Sequence, residues 1–272
     1  MSEIERWWDV MPAPFESQPS SFIAMLNRAA PQSIAGTIGG GTLPASLKDQ
    51  LVDGTTVLAV VAKGGVVVAG DRRATAGHLI SRGDMRKVFP ADDWSAVAIS
   101  GAAGPAMELA KIFATELEHY EKVEGEPLSL EGKSNKLASM VRAHFPLALQ
   151  GLVVVPLFAG VERATGAAQI FEYDPVGGRY VATDQAAAGS GSLAARSTLK
   201  RLADGDAPIS TAVSTALEAL IVAAEEDAAT GGPDMIRRIY PIVAVIDDDG
   251  YRELDASEVA TNVEDVIDRR RR

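Results

Sequence analysis

Apolar positions in this chain fall into two kinds of run. From Thr56 to Ala62 and from Val66 to Ala69 they are continuous and rich in β-branched residues, with Lys63-Gly64-Gly65 as a tight turn between them. Two such runs joined by a Gly-Gly turn predict a β-hairpin, and unbroken rather than alternating apolar strands predict burial on both faces. Lys87 to Phe89 and Trp94 to Ser100 predict a second hairpin, turned by Pro90-Ala91-Asp92-Asp93. Beyond Gly101 to Gly104 the period changes. Met107, Leu109, Ile112, Phe113, Leu117 and Tyr120 are spaced as one face of a helix over about 102–124. A second helix is predicted over about 132–149, with Pro146 as a candidate kink. Strands follow at about 152–160, 168–173 and 179–183, helices at about 192–203 and 208–226, a strand over Ile239 to Ile246 and a short helix from Ala256. Strand runs alternating with paired helices suit two sheets packed on each other with helices on both outer faces.

Residues 1 to 54 are different. Prolines at 12, 14, 19, 31 and 44, a Ser/Gln/Pro patch from Ser17 to Ser21 and a Gly-rich stretch from Gly36 to Gly41 interrupt any period. This segment reads as a leader with at most short helices near Phe22 to Arg28 and Leu47 to Leu51.

Composition narrows the function classes. A formal net charge of −11 argues against a phosphate-tracking surface, so no nucleic-acid partner is expected. The one dense basic run, Arg269 to Arg272, reads as a solvated tail. Without cysteine there is no disulfide, thiolate nucleophile or Cys-ligated metal, and a cytoplasmic location is the simplest expectation. The acidic start Met1-Ser2-Glu3-Ile4-Glu5-Arg6 carries no signal sequence. The longest apolar stretch, Pro146 to Val161, contains Gln150 and Pro156 and falls short of the ~20 residues of a membrane span.

Common hydrolase arrangements are missing. His78, His119 and His144 show no metal-ligand spacing, and there is no G-x-S-x-G elbow. Gly189-Ser190-Gly191-Ser192 resembles a phosphate loop but lacks the Gly-Lys-Ser/Thr ending. The junction at Asp53-Gly54-Thr55-Thr56 remains. A threonine hydroxyl is a weak nucleophile without a neighbouring base, and an N-terminal threonine carries its own in the α-amine. A free α-amine ordinarily titrates at about pH 7.7 to 8.0, so part of it is unprotonated at neutral pH. The arrangement requires loss of residues 1 to 54, and Gly54 is expected to give the backbone freedom that brings its carbonyl to the Thr55 hydroxyl.

A set of stretches extends this pattern: Gly54-Thr55-Thr56-Val57, Gly65 to Thr75 with Gly70-Asp71-Arg72-Arg73, Arg86-Lys87-Val88, Ser100-Gly101-Ala102-Ala103, Gly189-Ser190-Gly191-Ser192 and Asp227 to Asp234. In order and spacing they resemble the proteasome β subunits, most closely the 20S type of actinobacteria with a leader of this length. The resemblance covers about Gly54 to Ile246. It implies an α+β fold of the N-terminal-nucleophile hydrolases, a four-layer αββα sandwich of two antiparallel sheets flanked by helices. Residues 1–54 would be a propeptide removed autocatalytically, and 55–272 the catalytic domain with a C-terminal tail from about 256.

Carried over residue by residue, the resemblance makes Thr55 the nucleophile, its amine the general base, and Asp71 and Lys87 the acid and ammonium beneath it. The Gly101 N–H would be the oxyanion donor. Ser190, Asp227 and Thr230 would orient the amine and a water, with Thr230 standing where many members have serine. Thr75 and Ala103 would pair with an extended substrate. Ala74, Met85, Phe89, Ile99 and Ala103 would wall an apolar pocket, so cleavage after hydrophobic residues is expected. No metal or organic cofactor is implied. The implied partners are α subunits, other β subunits in stacked heptameric rings, a ring-shaped ATPase and substrates tagged with a ubiquitin-like protein, with the first two helices as candidate ring contacts. Two other readings stand beside this one: an amidohydrolase of the same architecture acting on a small amide, and a non-catalytic ring-forming subunit.

Overall fold

The structure, a computed structural model, describes residues 54–76 and 79–271. The expected helices near Phe22 to Arg28 and Leu47 to Leu51, the rest of the leader before Gly54, and Arg272 lie outside the described residues.

Chain order is β1 (Thr56–Ala62), β2 (Gly65–Gly70), β3 (Ala74–Ala76), β4 (Leu79–Arg82), β5 (Val88–Asp92), β6 (Ser95–Gly101), α1 (Ala103–Glu124), α2 (Leu130–Ala148), β7 (Val154–Glu162), β8 (Ala167–Tyr173), β9 (Arg179–Ala182), β10 (Gln185–Gly189), α3 (Ser192–Leu202), α4 (Ile209–Glu226), β11 (Ile242–Asp247), β12 (Gly250–Glu253) and α5 (Ala256–Arg270). Two five-stranded antiparallel sheets result, ordered β10-β1-β2-β11-β12 and β5-β6-β7-β8-β9, with β3-β4 as a separate ribbon.

The valine-rich strands behave as their pattern predicts. Successive side chains point to opposite faces of a strand. Leu58, Val60, Val67 and Ala69 therefore join α3, α4 and α5 in one core, while Val57, Ala59, Val66 and Val68 enter a second core between the sheets. On the other sheet, Val97, Ile99, Phe158 and Phe171 face α1 and α2, and Ala96, Ala98, Leu157 and Ile170 face inward. Three cores separating four layers make the αββα sandwich. Phe158 meets Phe113 edge-on at 5.5 Å and stacks with Phe171 at 5.9 Å, contacts worth about 0.5–1.5 kcal/mol beyond their burial.

Several expectations are corrected. On α1 the buried stripe is Ala106, Leu109, Ala110, Phe113 and Leu117; Met107, Ile112 and Tyr120 point outward, and Ala106 and Ala110 complete the contact beside Leu109, Phe113 and Leu117. The strand expected from Ile239 starts at Ile242, since Ile239 closes a bridge with Asp234 and Pro241 has no N–H to donate. The helix expected from Ala256 does form, over 15 residues with an Asp255/Glu258 capping box, and buries Val259, Val263 and Val266. Arg270 in the basic run pairs with Glu225 at 2.7 Å. Strands β3, β4, β10 and β12 have no counterpart in the apolar pattern.

Candidate active site

Strand pairing brings distant parts of the chain to Thr55. β1 pairs Thr56 with Gly189 at the end of β10, and Val57 with Gly70 at the end of β2. The residue after β2, Asp71, and the loop after β10, Ser190, therefore meet at the residue before β1. Lys87, just before β5 in the other sheet, reaches in from below. Asp227 is the C-cap of α4, and Thr230 lies three residues beyond.

Asp71 is fully buried and accepts four hydrogen bonds. Its Oδ1 takes the Thr56 N–H at 2.8 Å and Lys87 Nζ at 2.7 Å, and its Oδ2 takes the N–H groups of Arg73 at 2.9 Å and Gly231 at 2.8 Å. A carboxylate held this way cannot turn, so it fixes Lys87. The Lys87 ammonium, 1% exposed, also donates to the Arg73 carbonyl and, at 3.1 Å, to the Gly54 carbonyl oxygen. The resemblance implies Lys87 beneath the Thr55 hydroxyl; the added fact is that its ammonium donates to the carbonyl of the bond that precedes Thr55. Gly54 N–H donates to Thr75 Oγ1 at 2.9 Å, so Thr75 grips the residue on the leader side.

Gly54 is required here by space: a Cβ would fall 2.1 Å from the Ala229 Cβ and 2.7 Å from its carbonyl oxygen. Gly101 is required by space and by backbone angle: φ is +102° and a Cβ would lie 2.1 Å from the Val153 carbonyl oxygen. Gly101→Ala is expected to lower stability by about 2 kcal/mol or more and to displace the β6 end that lines a cavity with Ser190, read as a lower Tm in thermal unfolding together with lost peptide cleavage. Gly101 and Ser190 line one cavity of about 410 Å³, together with Glu172 and Arg196.

Above Thr55, Ser190 N–H donates to the Thr55 carbonyl at 2.8 Å, and the Thr55 N–H points to Ser190 Oγ at 3.3 Å. Ser190 Oγ donates to Asp227 Oδ2 at 2.5 Å, and Thr230 Oγ1 donates to the same oxygen at 2.6 Å. Burial pushes the Asp227 carboxyl up, but the Ser190 and Thr230 hydroxyls and the Ala229 and Thr230 N–H groups together hold it below the usual carboxylate range. Asp227 thus stays ionised well into the acid range.

The residues expected to wall the substrate pocket are less separable from the core. Ile99 belongs to the core under α1, Phe89 packs against that cluster, Ala74 and Met85 are buried, and Ala103 at the start of α1 is half-buried. Thr56, Gly191 and Gly231 carry no expected role in the sequence, yet all three touch the site: Thr56 Oγ1 lies 2.6 Å from Thr230 Oγ1 and accepts the Gly191 N–H at 3.1 Å. Among the described residues no group of three His, Asp or Glu side chains is placed to hold a metal, and no helix is long and apolar enough to cross a membrane.

A family model described as "Proteasome subunit" matches residues 52–238. The chain belongs to the proteasome subunit family. Its relatives place it on the β side. It is 49% identical to the "Proteasome subunit beta" of Acidothermus cellulolyticus, with 94% of this chain and 90% of the relative covered. It is 50% identical to that of Acidimicrobium ferrooxidans (90% and 89% covered) and 47% identical to that of Streptomyces griseus (92% and 89% covered). Family membership brings assembly into proteasome rings with α subunits and a protease as the family's general activity, and it accounts for the sandwich fold.

Proposed function

We propose that this chain is a threonine endopeptidase of the proteasome core, latent until it cuts its own backbone between Gly54 and Thr55. The observation that carries the reading is the Lys87 ammonium, held by Asp71 at 2.7 Å and donating at 3.1 Å to the Gly54 carbonyl oxygen. In the uncut chain the Thr55 nitrogen is an amide and no base. The Thr55 hydroxyl oxygen attacks the Gly54 carbonyl carbon, and the negative charge that develops on its oxygen falls on the Lys87 ammonium. Positioned donors of this kind lower a barrier by on the order of 3 kcal/mol. Collapse breaks the Gly54–Thr55 C–N bond, and the hydroxyl proton goes to the nitrogen. An ester between Gly54 and the Thr55 oxygen remains, and water splits it into a leader ending in the Gly54 carboxylate and a chain beginning with a free Thr55 amine.

With the amine free, the cycle repeats on substrate peptides. The amine takes the hydroxyl proton, the Thr55 oxygen attacks, and the Gly101 N–H and Lys87 hold the charge. Collapse then breaks the peptide C–N bond as the Thr55 ammonium returns its proton to the leaving amine, and water hydrolyses the acyl ester. Ala74, Met85, Phe89, Ile99 and Ala103 favour apolar side chains before the cut bond. Active sites enclosed by heptameric β rings between α rings, a ring-shaped ATPase that feeds them, substrates tagged with a ubiquitin-like protein and a cytoplasmic setting complete the proposal. Residues 1–54 then serve as propeptide.

N-terminal sequencing of the protein assembled with α subunits tests it, alongside hydrolysis of blocked peptides ending in a fluorogenic amide. The expected result is a mature start at Thr55 and release after hydrophobic residues. Activity should fall as pH drops through the amine pKa, because the base is then protonated, while Asp227 with its depressed pKa does not contribute to that limb. An active chain that keeps residues 1–54 overturns the reading.

A further inference from the structure

Beyond Thr55 itself, the residue after it occupies an unusual position. Thr56 is fully buried, and its backbone N–H is already committed to Asp71. Its hydroxyl sits between two groups on other elements, the Gly191 N–H at the start of α3 and Thr230 Oγ1 in the loop after α4. Room for this contact is made by a missing side chain: a Cβ on Gly191 would stand 2.5 Å from Thr56 Oγ1 and 2.6 Å from Thr230 Oγ1.

Proton counting fixes the direction of the chain. Each hydroxyl owns one hydrogen. Thr230 spends its hydrogen on the Asp227 carboxylate, so the hydrogen between Thr56 and Thr230 belongs to Thr56. The order is Gly191 N–H to Thr56, Thr56 O–H to Thr230, and Thr230 O–H to Asp227, where it meets the Ser190 O–H coming from the opposite side. Ser190 Oγ is in turn the acceptor facing the Thr55 nitrogen.

We propose that Thr56 is a positioning residue for the reaction: its hydroxyl locks Thr230, and through Thr230 and Asp227 sets Ser190 against the Thr55 nitrogen. This rests on the reading of Thr55 as the nucleophile. Thr56 ties the amine-orienting loops after β10 and α4 to the strand that carries the amine, so the three cannot drift apart. It also explains why a β-branched hydroxyl, and not another valine, begins β1.

Thr56→Val keeps the shape and removes the hydroxyl, leaving the Gly191 N–H without its acceptor and Thr230 Oγ1 without its donor. In the mature protein kcat for a blocked peptide amide is expected to fall by about tenfold or more, with KM within about twofold. The charged groups of the surrounding network are Asp71 after β2, Lys87 before β5, Arg73 beside Asp71 and Asp227 at the end of α4. Only the Asp227 side loosens, so the protonated amine loses a fixed acceptor and the acid limb of the kcat/KM profile moves to lower pH.

Thr56→Ser loses the methyl and keeps the hydroxyl, and is expected to restore both kcat and the pH profile. Where Thr56→Val accumulates uncut, normal self-cleavage of Thr56→Ser counts in the same way. The proposal is overturned if Thr56→Val has wild-type kcat and pH profile, or if Thr56→Ser is as impaired as Thr56→Val, since packing alone then explains the loss. A Thr55→Ala chain that still cleaves peptides would instead remove the underlying reading.

Discussion

A Thr55→Ala chain stays at its full 272 residues and hydrolyses no peptide. Both outcomes follow from one missing oxygen, which the proposed mechanism uses twice: against the Gly54 carbonyl and against the substrate. The drop is expected to reach background, on the order of 10⁴-fold or more, because removal of a nucleophile abolishes the covalent path rather than weakening it. Ala at 55 removes a small side chain from a buried position, so folding should survive, and intact mass with circular dichroism separates a dead site from an unfolded chain. Thr55→Ser is the informative companion. It keeps the oxygen and the amine, so it should cut itself and turn over at a reduced rate. Self-cleavage by the Thr55→Ala chain at the wild-type rate would remove Thr55 from the mechanism.

Much of this site is legible in the sequence, and the parts that are not have specific physical reasons. β1 and β2 are readable because valines at consecutive positions leave no polar face, and the structure buries both sides in different cores. Gln185–Gly189 is not readable as a strand: alanine-rich and without β-branching, it is in the sheet because β1 pairs with it. Asp71 and Lys87 carry the sequence signal as residue types, but the target of the Lys87 proton, the Gly54 carbonyl, is a matter of three-dimensional reach.

Gly54 is readable as a required glycine, but the space argument for it is not. A sequence shows that a side chain is missing, and only the structure shows that Ala229 occupies the space it would take. Thr56 and Gly191 are the clearest gap. A threonine opening a strand passes for a β-former, and a glycine in a loop passes for a hinge; their joint role exists only where the ends of β1 and β10 and the loop after α4 meet.

Removing the cation beneath Thr55 should cost both stability and chemistry, and the two can be separated. In Lys87→Met the Asp71 carboxylate keeps three backbone N–H donors, from Thr56, Arg73 and Gly231, and loses its one charged partner while remaining fully buried. Breaking a buried pair by removing one member typically costs about 3–5 kcal/mol, because the survivor is left uncompensated. That loss is expected in urea unfolding. Self-cleavage at Gly54 should also stop, since the carbonyl oxygen no longer faces a donor. Lys87→Arg should not rescue it: the larger planar head does not fit a side-chain slot that is 1% exposed, and its fork cannot reach Asp71, Arg73 and Gly54 from one point. In Lys87→Met/Asp71→Asn no lone charge remains, so part of the stability should return, less the cost of turning the Asn NH2 toward a backbone N–H, while cleavage stays absent. That divergence assigns the ammonium a chemical role distinct from its structural one. A double variant that recovers stability and cleavage together would make Lys87 a structural residue and leave the Gly54 carbonyl without its proposed electrophile.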